Sequence, residues 1–213
     1  MKSYNTPIPR IVVLAAGFSS RLGEPKPLAR IRGLTLLDRM GRLLLPFAGR
    51  QPLIVIVPPR MAGYGALRYR GARHQSGSSQ PRMCFIVNPH RAAGLSSSVR
   101  MGVAYARNAA AVLLVPVDLA ELTRSDTAKL IRRWSANRRQ LVARRIGTAP
   151  GTPLILPRRF YSLAMAMAGD RGLQELVRRL PPADVTLVAM PSAAHDIDTP
   201  RDLERARRRL RPP

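Results

Sequence analysis

Cysteine and histidine are scarce in this chain of 213 residues, and long apolar runs are absent. The single cysteine, Cys84, cannot form an intramolecular disulfide, which excludes a secreted disulfide scaffold and suits a reducing compartment. One cysteine and three histidines are too few for a structural zinc site. No apolar run approaches the roughly 20 residues of a membrane span. Pro7, Pro9 and Arg10 interrupt the N-terminal region, so we expect a cytoplasmic protein without a signal peptide.

Acidic residues are also few. The chain has 12 acidic residues against 36 lysines and arginines, for a formal net charge of +24, which favours anionic ligands. Charge runs usually lie on solvated helix faces, and nucleic-acid or membrane binding is the alternative interpretation. Only 5% of the residues are aromatic, and they are not interleaved with basic residues as base stacking requires. We therefore expect neither a nucleic-acid nor a membrane partner.

Short apolar runs alternate with helical patterns along the chain. Near-continuous apolar runs are typical of parallel strands that are covered on both faces. The predicted strands are residues 10–16, 53–57, 83–87, 110–117, 140–144, 153–156 and 185–189. The predicted helices are residues 35–45, 96–108, 124–137, 172–180 and 200–210. This alternation predicts one α/β domain over residues 1–213, with a Rossmann-like, doubly wound and mostly parallel sheet.

Two segments lack these patterns. Residues 1–9 are expected to be a flexible N-terminus. Residues 60–82 are rich in Gly, Arg, Ser and Gln and show no sustained period, which predicts a mobile loop.

A string of small and basic residues, AAGFSSRLGEPKPL, follows the first strand directly. Gly17 and Gly23 allow a close approach of the backbone to a ligand, and backbone N–H groups and serine hydroxyls can donate to phosphate oxygens. Arg21 and Lys26 add positive charge where a triphosphate would lie. The string matches neither the P-loop nor the dinucleotide-binding pattern. Because ligands of open α/β sheets bind beyond the carboxyl ends of strands, this loop is a candidate phosphate site.

Five stretches, in order and spacing, resemble molybdenum cofactor cytidylyltransferases, with the guanylyltransferases as cousins. The string LAAGFSSRLGEPKPL (residues 14–28) resembles their signature loop, and NPHRAAGLSSSVRMGV (88–103) their second nucleotide-contacting loop. LLVPVDLAELT (113–123) resembles their strand that ends in a metal-binding aspartate. DIDTPRDL (196–203) resembles their C-terminal metal and substrate motif, and residues 151–177 resemble their acceptor-side segment.

The resemblance implies a fold of the nucleotide-diphospho-sugar transferase type and a nucleotidyltransferase activity. The implied reaction transfers CMP from CTP to molybdenum-loaded molybdopterin and releases pyrophosphate, with Mg²⁺ as the cofactor and an apo molybdenum hydroxylase as a partner. The loop lacks the longer Gly-rich, doubled-Arg form of the guanylyltransferases, which favours CTP over GTP. The alternatives are a GTP-dependent enzyme, a sugar- or alcohol-phosphate acceptor, and a non-catalytic nucleic-acid-binding protein.

The resemblance also implies roles for individual residues. Arg21, Lys26 and Asp118 are the expected catalytic residues, and Asp118 and Asp198 the expected metal ligands. The expected nucleotide-binding residues are Leu14, Ala15, Ala16, Gly17, Ser19, Ser20, Gly23, Gly94, Ser97 and Ser98.

The two aspartates have structural alternatives. Asp118 ends an apolar strand, where core packing does not explain a carboxylate, and carboxylate oxygens suit a hard cation such as Mg²⁺. It could instead cap the following turn. Asp198 could cap the last helix, and Asp196 competes with it as a metal ligand.

Overall fold

A seven-stranded sheet forms the centre of the protein. The computed structural model describes residues 8–64, 83–169, 172–193 and 195–210. The sheet strands are β1 (Arg10–Leu14), β4 (Leu53–Val57), β5 (Met83–Val87), β6 (Ala111–Pro116), β7 (Leu141–Ile146), β8 (Ala149–Pro157) and β9 (Val185–Val188). Their spatial order is β5-β4-β1-β6-β8-β7-β9. Every neighbouring pair is parallel except the two that include β8, which confirms the predicted mostly parallel sheet.

Six α-helices and one small ribbon surround this sheet in the described residues. The helices are α1 (Leu36–Leu44), α2 (Leu95–Tyr105), α3 (Arg124–Ala136), α4 (Tyr161–Met165), α5 (Gly172–Arg178) and α6 (Pro200–Arg209). The ribbon pairs β2 (Arg30–Ile31) with β3 (Leu34–Thr35) in antiparallel fashion. Five of the helices were predicted, whereas α4 and the ribbon were not. None of the described helices is long and apolar enough to cross a membrane.

Side chains of the central strands alternate between two buried clusters, one on each face of the sheet. In β1, Val13 packs into one cluster, while Val12 and Leu14 pack into the other. Helices α1, α3 and α6 cover the first face, and α2, α4 and α5 cover the second. Burial on both faces explains why the strands are apolar throughout rather than at every second residue.

Helix α2 lies close to the sheet because of a glycine. A Cβ atom built on Gly102 would lie 2.7 Å from Cγ1 of Val12 in β1, inside van der Waals contact. Only glycine fits at this distance without a shift of the helix. The contact holds the C-terminal half of α2 against the middle of β1.

The register between β7 and β8 is irregular next to Arg144. Ala143 pairs with Leu154, but the next residue, Arg144, pairs with Gly151. The two extra residues of β8 form a bulge, which re-aims side chains locally. Arg144 therefore lies within β7, at the point where the pairing with β8 changes.

The two segments predicted to be flexible lie largely outside the described residues. Of residues 1–9, only residues 8 and 9 are described, and of residues 60–82, only residues 60–64. Within the latter, a 3₁₀ turn (Pro59–Met61) follows β4.

Candidate active site

A cleft of ≈ 240 Å³ opens where the carboxyl ends of β1 and β6 meet. The loop after β1, the first turn of α2 and the residues after β6 and β9 form its walls. Twelve of the fourteen predicted site residues line it: Leu14, Ala15, Ala16, Gly17, Ser19, Ser20, Arg21, Lys26, Gly94, Ser98, Asp118 and Asp198. Gly23 and Ser97 do not line it. Segments far apart in the sequence thus meet at one edge of the sheet, as the topology of an open α/β sheet requires.

Lys26 lies at the centre of the charged part of this cleft. Its Nζ atom donates to Oδ2 of Asp118 at 2.7 Å and to Oδ1 of Asp198 at 2.5 Å. Arg21 approaches the other oxygen of Asp198, with Nη2 at 3.7 Å from Oδ2. Two carboxylates and two cations therefore converge from three separate segments of the chain.

The loop after β1 is held in shape by one of its own serines. Oγ of Ser19 accepts a hydrogen bond from the backbone N–H of Lys26 at 2.8 Å. This bond closes the loop and places Lys26 at the start of a 3₁₀ turn (Lys26–Leu28). A backbone that is already closed requires less ordering when a ligand binds.

The surroundings of Lys26 keep it protonated. Burial alone would lower the pKa of Lys26. The charges and hydrogen bonds of Asp118 and Asp198 raise it by a larger amount, so the pKa of Lys26 lies above its ordinary value. The stabilisation from this pairing is complete below the unfolded-state pKa and is lost only as the pH rises through the folded-state value. The lysine therefore remains a fixed positive charge at neutral pH.

Asp198 does not cap the last helix. Thr199 is the N-cap of α6, and it forms a reciprocal capping box with Asp202. The Asp198 side chain bonds Lys26 in the cleft instead. The helix thus has its own cap, and Asp198 is left available to the cleft.

The carboxylate pair fits a divalent cation that arrives with a nucleotide. One ammonium contacts both Asp118 and Asp198, so one metal ion could contact both as well. In the described part of the chain, no group of three or more His, Cys, Asp or Glu side chains could hold a metal. Mg²⁺ commonly takes only one or two carboxylates and completes its shell with substrate phosphates and water. The pair therefore suits a metal–nucleotide complex rather than a metal bound without substrate.

A buried amide organises the start of α2. Asn88 is fully buried, and its Nδ2 donates to Oγ of Ser97 and Oγ of Ser98, each at 2.9 Å. Ser97 also donates to the carbonyl oxygen of Gly94 at 2.8 Å. The Ser97 hydroxyl thus both accepts and donates within the protein, whereas Ser98 lines the cleft.

Replacing Asn88 with Ala should lower the free energy of unfolding by about 2–3 kcal/mol, because three side-chain hydrogen bonds are lost, two from Nδ2 and one from the backbone N–H of His90 to Oδ1. Urea unfolding followed by circular dichroism measures this loss. Asn108 is exposed, and an Asn108→Ala variant should change the unfolding midpoint little. Equal midpoints for the two variants would show that the Asn88 network does not stabilise the fold.

Five residues that line the cleft were missed by the sequence analysis. They are Phe18, Arg91, Leu95, Pro116 and Val117. Two of them contact each other, since the Arg91 guanidinium lies 4.2 Å from the centroid of the Phe18 ring, a cation–π distance. The signal in the sequence for this contact was an aromatic residue, Phe18, in a loop of mostly small residues.

A family model described as the MobA-like NTP transferase domain matches residues 11–185. The chain belongs to this family. The match includes the loop after β1, Asp118 and the start of β9, and it ends before Asp198. The MobA-like chain is accordingly a nucleotidyltransferase with a nucleoside triphosphate as substrate. The role of Asp198 depends on the geometry of the cleft alone.

One curated relative of this MobA-like chain matches over a short region. It is a bifunctional IPC transferase and DIPP synthase from Rubrobacter xylanophilus, 42% identical over 76 residues. The matched region is 33% of this chain and 17% of that protein, so the chain spans a small part of the relative's length.

Solved structures similar to the MobA-like chain cover almost all of it. Rv0371c from Mycobacterium tuberculosis is 25% identical over 95% of this chain and 100% of its own, with a TM-score of 0.69. The manganese complex of Rv0371c is 24% identical, covers 94% of this chain and 98% of its own, and has a TM-score of 0.65. Molybdopterin-guanine dinucleotide biosynthesis protein A from Archaeoglobus fulgidus is 15% identical. The match covers 93% of this chain and 97% of that one, with a TM-score of 0.69. A 2-C-methyl-D-erythritol 4-phosphate cytidylyltransferase from Thermus thermophilus is 18% identical. The match covers 94% of this chain and 98% of that one, with a TM-score of 0.64. The last two show that the fold is shared.

Proposed function

We propose that this protein transfers CMP from CTP to molybdenum-loaded molybdopterin and releases pyrophosphate. One observation carries the proposal: Asp118, Asp198 and Lys26 converge within hydrogen-bond distance beside the loop after β1. A set of paired carboxylates and cations next to a phosphate-binding loop suits phosphoryl-group chemistry, in which the enzyme positions reactants and offsets negative charge. Delivery of the product to an apo molybdenum hydroxylase in the cytoplasm belongs to the same proposal.

The transfer forms one bond and breaks one bond at the α-phosphorus. An oxygen of the acceptor's phosphate attacks this phosphorus, the bond to the bridging oxygen breaks, and pyrophosphate leaves with the electron pair. Arg21 and Lys26 are positioned to offset the negative charge that grows on the leaving group. The hydroxyl of Ser98 and backbone N–H groups of the loop after β1 orient the nucleotide.

Asp118 and Asp198 are the residues that would hold a divalent cation. When bound, Mg²⁺ would offset charge on the α-phosphate and help align the attacking oxygen. The manganese complex concerns the M. tuberculosis protein, and Mg²⁺ for this chain is a proposal that rests on the carboxylate pair. Lys26 pairs with both carboxylates, and its positive charge offsets their mutual repulsion.

A second candidate function keeps the nucleotidyl transfer and differs in the acceptor or in the donor nucleotide. The similar fold of a 2-C-methyl-D-erythritol 4-phosphate cytidylyltransferase favours testing an alcohol phosphate beside molybdopterin. The molybdopterin-guanine protein of A. fulgidus likewise makes GTP the competitor of CTP. In every case the chemistry at the α-phosphorus is the same.

A substrate matrix tests the proposed function. Each of the four ribonucleoside triphosphates is offered with Mg²⁺ and one acceptor at a time, either molybdenum-loaded molybdopterin or 2-C-methyl-D-erythritol 4-phosphate, and pyrophosphate release is measured. We expect the highest kcat/KM for CTP with molybdopterin, and loss of activity when the metal is chelated. Turnover with an alcohol phosphate alone would support the second candidate. Salt-sensitive RNA binding with no pyrophosphate release from any pair would contradict both.

A further inference from the structure

Arg144 is a buried arginine in the second half of β7. Only 5% of its side-chain surface is exposed. Its Nε and Nη1 atoms are buried and find no hydrogen-bond acceptor among the described residues. Its Nη2 atom lies 3.7 Å from Oδ1 of Asp196, which is longer than a hydrogen bond. The guanidinium therefore carries two buried donor atoms without partners.

Such a guanidinium is costly if its only role is structural. An arginine stays protonated in proteins, so burial cannot be relieved by loss of its charge. An apolar side chain of similar volume commonly gives equal or greater stability at such a position. The next residue, Arg145, is exposed, so a generally basic composition does not explain the burial of Arg144.

Arg144 lies at the same sheet edge as the catalytic carboxylates. Strands β6, β7 and β9 run in one direction. Asp118 and Asp196 follow β6 and β9, and Arg144 lies in the second half of β7, where it pairs with Val188, the last residue of β9. Burial lowers the pKa of Arg144, and the negative charges of Asp196 and Asp118 raise it by a smaller amount. In the strand order, β7 lies beyond β6 on the side opposite to β1 and its loop. The loop after β1 and Arg144 thus lie on opposite sides of β6, the strand that Asp118 follows.

We propose that Arg144 binds the phosphate of the acceptor substrate and so selects phosphomonoesters over free alcohols. This inference rests on the proposed function, because it assigns the second substrate of the same site. A phosphate presents several oxygens to the planar donors of a guanidinium. A phosphate bound to Arg144 would compete only with the 3.7 Å contact to Asp196, whose side chain is half exposed.

The assignment also agrees with the balance of the transfer step. A phosphomonoester is mostly a dianion at neutral pH, so its attacking oxygen needs no general base. The new bond joins that oxygen to the α-phosphorus, and the electron pair of the broken bond leaves with pyrophosphate. An alcohol would instead have to lose a proton during the attack, and Arg144 cannot accept one.

A direct test follows the Nε–H resonance of Arg144 by ¹⁵N-correlated NMR during a titration with inorganic phosphate. The resonance is assigned by its loss in an Arg144→Lys variant, and sodium chloride at matched ionic strength is the control titrant. We expect a saturable shift with phosphate and not with chloride. No phosphate-specific shift would overturn the inference, whether or not the protein turns over a nucleotide.

A second test measures the kinetics and the thermal stability of two arginine variants. An Arg144→Met variant should raise the KM for the acceptor about ten- to hundredfold and leave the KM for CTP within about twofold. Its melting temperature should equal or exceed that of the native protein, because an unpaired buried charge is removed. The matched control, Arg145→Met, removes the same charge from an exposed side chain and should change neither KM.

The outcomes separate this inference from the proposed function. An Arg144-dependent phosphate shift without pyrophosphate release from any substrate pair would support the anion site and contradict the transferase. Pyrophosphate release with an unchanged acceptor KM in Arg144→Met would support the transferase and overturn the anion site. A large fall in the melting temperature of Arg144→Met would identify Arg144 as a structural partner of Asp196 and would also overturn the inference.

Discussion

Replacing Asp118 with Asn should reduce metal-dependent pyrophosphate release by about a thousandfold or more. A metal site stabilises the transition state by several kcal/mol, and each ~1.4 kcal/mol is a factor of ten in rate. Asparagine keeps the shape of the side chain but removes one of the two carboxylates that meet at Lys26. Steady-state assays with CTP and acceptor at saturating concentrations measure the loss.

A nearby glutamate supplies the control for this variant. Glu121 follows Asp118 by three residues, but it contacts Arg209 at 3.6 Å and does not line the cleft. Glu121→Gln should keep nearly all of the activity. Circular dichroism spectra should be the same for both variants. A folded Asp118→Asn protein with native turnover would contradict the assigned role of this carboxylate.

Replacing Lys26 with Ala should lower the rate by about a hundred- to a thousandfold, the usual effect of removing one group that offsets transition-state charge. We expect a smaller effect on stability, about 1–3 kcal/mol without metal, because Asp118 and Asp198 are left facing each other. Mg²⁺ should then stabilise the variant more than the native protein, since the ion can replace the ammonium between the carboxylates. Thermal unfolding at increasing Mg²⁺ concentrations measures this difference.

Lys129→Ala is the matched control for Lys26→Ala. Nζ of Lys129 donates to the carbonyl oxygen of Ala189 at 3.1 Å in an exposed setting. The variant should keep the native rate and the native response to Mg²⁺. If Lys26→Ala also kept the native rate, the lysine would be a structural counter-ion and not a catalytic group.

The main architecture of this fold could be predicted from the sequence because its signals are local. Strands buried on both faces are apolar at every position, as LIVIV at residues 53–57 illustrates, and helical patterns separate them. The ribbon of β2 and β3 was missed because each strand has only two residues. The direction of β8 was not predicted, since pairing across a sheet is a long-range property that no local pattern encodes.

The site likewise contains residues that the sequence indicated and contacts that only the fold creates. The loop after β1 is contiguous, so its residue types alone indicated phosphate binding. By contrast, Lys26 and Asp198 are 172 positions apart, and only the topology of the sheet brings their side chains together. The Phe18–Arg91 contact and the burial of Arg144 are equally long-range features. In a chain with so many arginines, composition could not distinguish Arg91 or Arg144 from exposed ones.

A crystal structure with Mn²⁺ and a non-hydrolysable CTP analogue tests the central claim most directly. The anomalous signal of manganese locates the ion independently of the protein coordinates. We predict a manganese peak between the carboxylates of Asp118 and Asp198, with the α-phosphate bound to it and the triphosphate against Arg21 and Lys26. A nucleotide bound elsewhere, or a manganese ion that contacts neither aspartate, would contradict the account.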